Sequence, residues 1–321
     1  MSPSGRIVVG SLPTEQGTDA RALGVDLAMA CGAELLLVSV VSALWIEYGT
    51  NKTGPALVQS VERERAASAL REAAEELGSV AGLGHIGRRL EASSSPARGL
   101  HDSAIAEQAD LVVVGSSHRG PVGRVLLGSI GERLLSGAPS AVAVAPRGHA
   151  ASESRSIKAI AVAFDGSCEA GLALATAHEL AALTGAAVRA LIVIESPAAI
   201  PGAFVPFPGV KPSLPLAGVE PFEEMQGAEA HERQERAARA TLKAAVEALG
   251  DGAEIEQQVL ADTDPAAAIL DAIRADTDLL VLGSRAYGPL RRALLGSVSV
   301  AVLRHAPCPV LVMPRVDDGT G

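Results

Sequence analysis

Aromatic residues are almost missing from this chain: four Phe, two Tyr and one Trp, or 2% of 321 positions. Hydrophobic residues still make up 48%, so any core has to be built from Ala, Val, Leu and Ile. That palette suits helices packed on buried strands and argues against disorder, where such residues are scarce. Cysteine is equally thin. Three of them, odd in number and far apart, make no disulfide framework. The longest apolar run, AELLLVSVVSALWI at 33–46, is too short and too interrupted to span a bilayer. The opening MSPSGRIVVGSLPTEQG has no extended apolar region of a secretion signal. These absences lead to the expectation of a cytoplasmic protein with no membrane partner.

Dense Lys/Arg clusters are also absent, and the net charge is −10. Neutralising a nucleic-acid backbone needs concentrated positive charge, so no nucleic-acid partner is expected. A small anion held by backbone N–H groups and one or two arginines remains compatible with that charge.

What the chain does have is a long repeat. DLVVVGSSHRGPVGRVLLGS at 110–129 returns as DLLVLGSRAYGPLRRALLGS at 278–297, with 12 of 20 positions identical. AMACGAELLLVSVV at 28–41 is echoed by AALTGAAVRALIVI at 181–194, and GAPSAVAVAPR at 137–147 by HAPCPVLVMPR at 305–315. The halves meet near GHAASESRS, 148–156, a small and polar stretch suited to a linker. A period this long marks a duplicated domain and not a solenoid. The expected division is a first domain at 1–147, a linker at 148–156 and a second domain at 157–316.

Each half alternates apolar strands with helical periodicity. The first half predicts strands at 6–10, 34–41, 86–91, 110–115 and 141–145, with helices near 15–31, 60–78, 97–108 and 129–136. The second predicts strands at 157–164, 186–194, 253–260, 278–283 and 309–313, with helices near 167–184, 223–249, 265–275 and 297–304. Segments such as LVVVG and RALIVI are nearly continuous apolar runs, as parallel strands covered on both faces require. The fold class expected is α/β: two tandem doubly wound (Rossmann-like) domains, each with a five-stranded parallel sheet. Ligands of such sheets sit at the carboxyl ends of the strands, where the repeated glycines fall. One asymmetry stands out, the proline-rich insertion at 197–221, which reads either as a tolerated extension or as a loop over the nearby site.

Within the repeat, Gly115 and Gly283 end buried strands, where a missing side chain lets a ligand approach the backbone. Gly128-Ser129 precedes a short helix, and Ser129 with Glu132 spells a capping box. The free N–H groups of such a helix start suit a phosphate, and equally Ser129 caps the helix and binds nothing. Gly296, Ser297 and Val298 occupy the matching place in the second half.

The corner resembles the nucleotide-binding corner of the universal stress protein family, Gly-x-x-Gly, nine residues, then Gly-Ser/Thr. Gly115 with Gly128-Ser129, and Gly283 with Gly296-Ser297, match its first and last positions. The resemblance covers both halves nearly end to end, so the chain looks like a tandem member. Both copies depart from the second glycine of that pattern, which is His118 in the first half and Ala286 in the second. The resemblance also implies an Asp just past the first strand that contacts adenosine; the second half has Asp165 there, whereas the first has Leu12. An apolar side chain accepts no hydrogen bond, so the second half is the better site. What the family implies for it is ATP, accompanied by Mg²⁺, with Asp165 and the strand end near Ile194 on the adenosine and Gly283, Ala286, Gly296, Ser297 and Val298 on the phosphates. Arg124, Arg292, Arg119 and Arg291 read either as phosphate ligands or as a solvated helix face.

The same resemblance implies that the closing strands pair with each other as an intramolecular pseudo-dimer, with homodimerisation of the whole chain as a further arrangement and a protein partner unidentified. Two readings of function stay open: a stress-response regulator governed by nucleotide occupancy, and a scaffold with degenerate sites, which His118, Ala286 and Leu12 favour. No nucleophile elbow, Walker lysine or paired-carboxylate signature appears, so at most slow ATP hydrolysis is expected. Seven histidines form no close-spaced pair, and no metal site is read. Cys31, Cys308 and Cys168 read as ordinary buried thiols.

Overall fold

The computed structural model describes residues 5–43, 55–117, 122–126, 128–135, 140–152, 155–195, 222–250, 253–273, 276–284 and 296–314. His118, Ala286, Arg119, Arg291, Arg292 and the proline-rich stretch 197–221 lie outside the described residues.

The first half runs β1 (Arg6–Gly10), α1 (Glu15–Cys31), β2 (Glu34–Ser42), α2 (Pro55–Gly78), β3 (Ile86–Ser93), α3 (Pro96–Ala106), β4 (Leu111–Gly115), α4 (Ser129–Leu135) and β5 (Ala141–Ala145). A short 3₁₀ turn, His149–Ala151, follows. The second half runs β6 (Ala159–Ala163), α5 (Cys168–Thr184), β7 (Ala187–Glu195), α6 (Phe222–Glu247), β8 (Ile255–Asp262), α7 (Pro265–Ala272), β9 (Leu279–Gly283), α8 (Ser297–His305) and β10 (Val310–Met313). Local chemistry explains several boundaries. Thr14, Ser95, Ser167 and Asp264 each accept a first-turn N–H with the side chain, and Gly32 and Gly185 close α1 and α5 with φ of 68° and 74°.

The strands form one ten-stranded sheet in the order β3-β2-β1-β4-β5-β10-β9-β6-β7-β8. Within each half every pairing is parallel; β5 and β10 meet antiparallel, with Val144 opposite Val310 and Val142 opposite Val312. Strand alternation sends Ile7, Val9, Ile160 and Val162 to a core under α1, α2, α5 and α6. Val8, Val112, Leu280 and Leu282 go to the other face, under α3, α4, α7 and α8.

The Asp that opens each copy of the repeat is structural. Asp110 accepts the Arg6 N–H at 3.0 Å, and Asp278 accepts those of Lys158 and Ala159 at 2.8 and 2.9 Å. Each thereby pins the start of the half's first strand to the start of its fourth. The segment joining the halves is also held. Asp19, buried on α1, accepts the N–H groups of Gly148 and Ala150 at 2.9 Å each, and Asp26 receives His149 Nε2 at 2.9 Å. Across the halves, the Val125 N–H donates to the Ala306 carbonyl at 2.9 Å, and the Val125 side chain is fully buried.

The repeated strand-end glycines turn out to be demanded by helix packing. A Cβ on Gly115 would lie 2.1 Å from the Gln16 carbonyl oxygen in the first turn of α1. One on Gly283 would lie 2.7 Å from the Ala170 nitrogen in the first turn of α5. The side of each glycine where a Cβ would stand is therefore occupied by the helix itself.

Two outcomes follow from this packing. Gly115→Ala should lower the urea-unfolding free energy by roughly 1–3 kcal/mol, the cost of forcing atoms into a filled core. Gly171→Ala in α5, where nothing lies within 4 Å of the added methyl, should raise it by roughly 0.5–1 kcal/mol. Thiol labelling at neutral pH should find one fast cysteine. Cys168 is exposed, contrary to its reading as a buried thiol, because it sits on the outward side of the first turn of α5. Burial pushes the Cys308 thiol up to about 12 and raises that of Cys31, so both should react only on unfolding.

Candidate functional site

At the carboxyl ends of β6, β7 and β9 lies a cleft of about 630 Å³. Its walls are apolar: Leu191 and Val193 from β7, Leu282 from β9 and Ile269 from α7. Asp165 stands at the mouth, exposed, just past β6. Its Oδ1 accepts the Ser167 N–H at 2.9 Å in a turn completed by Gly166 at φ 82°. Opposite, α8 opens with Gly296 as N-cap, at φ −59° and ψ 153°, with no side-chain cap bond. The Gly296 carbonyl accepts the Val300 N–H at 2.9 Å, so the N–H groups of Ser297, Val298 and Ser299 have no acceptor within the helix. Cleft, carboxylate and helix start together offer an apolar slot, an acceptor and a set of anion-binding donors. Ser284, just beyond β9, has a buried hydroxyl with no partner among the described residues.

The first half builds the same corner and closes it. The space lined by the matched residues Leu12, Val38, Val40, Leu100, Val114 and Ile130 is only about 60 Å³. Leu12 replaces the carboxylate, and Arg21 of α1 donates to the Leu12 carbonyl at 3.0 Å and the Ser11 hydroxyl at 3.2 Å. Burial holds the Arg21 guanidinium below its ordinary pKa. Its counterpart by repeat alignment is Leu174, which makes no such bond. The described part of the spacer is tied down as well: Ser116 Oγ accepts the Leu126 N–H at 2.6 Å, and the Gly123 N–H donates to the Arg147 carbonyl at 2.7 Å. Arg124 is exposed on this strip.

Of the residues the sequence proposed, Asp165, Gly283, Gly296, Ser297 and Val298 come together around the larger cleft. Gly115 lines the smaller one. Two assignments need correction. Ile194 packs in the core under α6, on the face away from the cleft, because strand parity sends Leu191 and Val193 to the cleft side. Ser129 is the first residue of α4 and not its cap; the Glu132 N–H bonds to the Gly128 carbonyl at 3.0 Å, which puts Gly128 at the N-cap. Glu132 instead faces Arg304 of α8 at 3.8 Å. Among the described residues no group of three or more His, Cys, Asp or Glu could hold a metal. The residues missed were Asp19 and Asp26, seven apart on α1 and both engaged with the joining segment. Their repeat counterparts are Leu172 and Glu179, so the break in internal symmetry at Asp19 was the available signal.

Comparison with known proteins bears on both halves. The model of the universal stress protein family matches residues 4–146 and 210–314. A universal stress protein of Mycobacterium tuberculosis is 27% identical over 308 residues, covering 96% of this chain and 99% of that one. One from Thermus aquaticus is 43% identical over 63 residues, 19% of this chain and 46% of the other. Among solved structures, a universal stress protein from Archaeoglobus fulgidus has a TM-score of 0.66 at 19% identity, covering 98% of this chain and 99% of its own, a likeness of fold. No helix among the described residues is long and apolar enough to cross a membrane. With both halves matched by the family, this chain belongs to the universal stress protein family as a tandem member.

Proposed function

We propose that this protein binds an adenine nucleotide, ATP with its Mg²⁺, in the cleft of the second half, and that occupancy there regulates an unidentified protein partner in the cytoplasm. The observation that carries this reading is the contrast between matched corners: about 630 Å³ with Asp165 at the mouth, against about 60 Å³ with Leu12. The residues present fit the ligand. Leu191, Val193 and Leu282 give a flat apolar wall for a base, and Asp165 gives an acceptor for hydroxyl or amino donors of the nucleoside. The N–H groups opening α8 and the positive end of its dipole suit the phosphates. Mg²⁺ would arrive on those phosphates and neutralise part of their charge.

The first half supports the scaffold reading for itself alone. Its corner is closed and its spacer serves the contact between halves, so it acts as the structural partner of the binding half. In this reading the chain divides at 148–156, and the insertion 197–221 belongs to the second half. Binding without turnover fits the cleft's chemistry. Among its described residues Asp165 is the one acid, with no histidine or second carboxylate beside it to activate a water.

Calorimetric titration of Mg²⁺-ATP into nucleotide-free protein should give about one site per chain. Asp165→Ala should weaken it about 10- to 100-fold, the range for losing a hydrogen bond to a charged group. Gly296→Asp is the sharper test. The backbone there suits any residue, and Asp is a favoured N-cap, so α8 should be stabilised while a carboxylate takes the anion's place. Binding should vanish with the melting temperature unchanged or raised. Leu12→Ala should leave the stoichiometry at about one, since it touches the closed corner alone. Nucleotide-free wild type that takes up no ATP would sink the reading.

A further inference from the structure

Between the halves, at the opposite end of the second half's strands from the nucleotide cleft, lies a second pocket of about 430 Å³. Its accessible apolar lining comes from Val122, Ile157 and Pro307, with Leu23 of α1 and Leu279 at the start of β9 buried behind them. Its wall is the joining segment, which carries His149 and Arg155, with Arg147 just ahead of it. The wall is anchored by the His149 Nε2–Asp26 Oδ2 contact at 2.9 Å, with those side chains only 9% and 10% exposed.

The charges around this space are unevenly satisfied. Asp26 already faces His149 at 2.9 Å and Arg155 at 3.8 Å, and Asp278 already accepts two backbone N–H groups. Arg155 is the loosely held member: among the described residues its ion pair is the long contact to Asp26, and its side chain is 38% exposed. Arg147, on the same rim, reaches Glu15 at 3.6 Å, a carboxylate that is itself 78% exposed. A ligand that complements this arrangement has an apolar body for Val122, Ile157 and Pro307 and one anionic group for the guanidinium rim. A nucleotide triphosphate does not, because its charge would crowd against Asp26 and Asp278, and among the described lining residues no α-helix start is present to hold it.

The geometry points to a binding site for a small amphipathic organic anion, such as an aryl or acyl carboxylate or sulfonate, in this pocket between the halves. The site is independent of the nucleotide cleft. It exists once per chain, because the segment that walls it joins the halves once and docks on α1 through Asp19 and Asp26. An occupant touches α1, the joining segment and the starts of β9 and β10 together, so it fastens the two halves to each other.

Equilibrium dialysis of the full chain against 8-anilinonaphthalene-1-sulfonate tests the site, with the uncharged N-phenyl-1-naphthylamine as its neutral counterpart. The sulfonate should bind saturably, and the neutral probe about tenfold more weakly or worse, as expected for a lost charge-assisted bond. Arg155→Gln should weaken the sulfonate by a similar factor, and Ser152→Trp, at an exposed position of the wall, should block it. Gly296→Asp, in the other cleft, should leave it unchanged. Circular dichroism checks the fold of each variant. Equal binding of the two probes, sulfonate binding indifferent to both wall substitutions, or loss in Gly296→Asp would each overturn the assignment.

Discussion

The tight approach of a helix start to a strand end organises this molecule. At Gly115 and at Gly283 there is no room for even a methyl group, because the first turn of α1 or α5 rests on the backbone there. That contact fixes where the loop after the first strand must run, and so where Leu12 and Asp165 stand. It also fixes the distance across which α4 and α8 face that loop. Asp110 and Asp278 hold the far ends of the same strands in register. Two of the repeated residues visible in the sequence, the opening Asp and the strand-end Gly, record these constraints, both of which serve the scaffold.

On that shared scaffold the halves differ through a few side chains. In the first, Leu12 fills the corner, Arg21 takes up the nearby carbonyl, and the spacer turns its hydrogen bonds toward Arg147 and Ala306. In the second, Asp165 turns outward on a glycine and the start of α8 is left without a side-chain cap. Neither difference disturbs the sheet. One half closes its corner and the other keeps an open cleft, on nearly the same backbone.

Much of this was legible before any coordinates. Continuous apolar runs such as LVVVG announce strands buried on both faces, and the helix starts expected near 15 and 167 fall within a residue of those observed. The asymmetry between Leu12 and Asp165 was equally readable, since it is a difference of side-chain type at matched positions. What was not readable depends on direction and distance. Strand parity relative to the sheet decided that Ile194 faces the core and Val193 the cleft, and a run apolar on both faces carries no alternation from which to infer it. The cause of Gly115 needed the position of Gln16, ninety-nine residues away in the chain. Asp19 and Asp26 acquire a role only once the joining segment folds back on them.

The antiparallel ladder between β5 and β10 has a kinetic and evolutionary side. In a dimer of separate subunits, such a ladder forms only above a threshold of protein concentration. Here both strands belong to one chain, so each meets its partner at an effective concentration set by the tether, in the millimolar range for short linkers. The sheet therefore stays whole however scarce the protein becomes. A half that no longer has to serve every copy of itself is also released from symmetry: a substitution in one corner is not automatically repeated in the other. The closed corner at Leu12 and the pocket walled by the joining segment are the kinds of change that only a fused pair can accumulate without altering its open cleft.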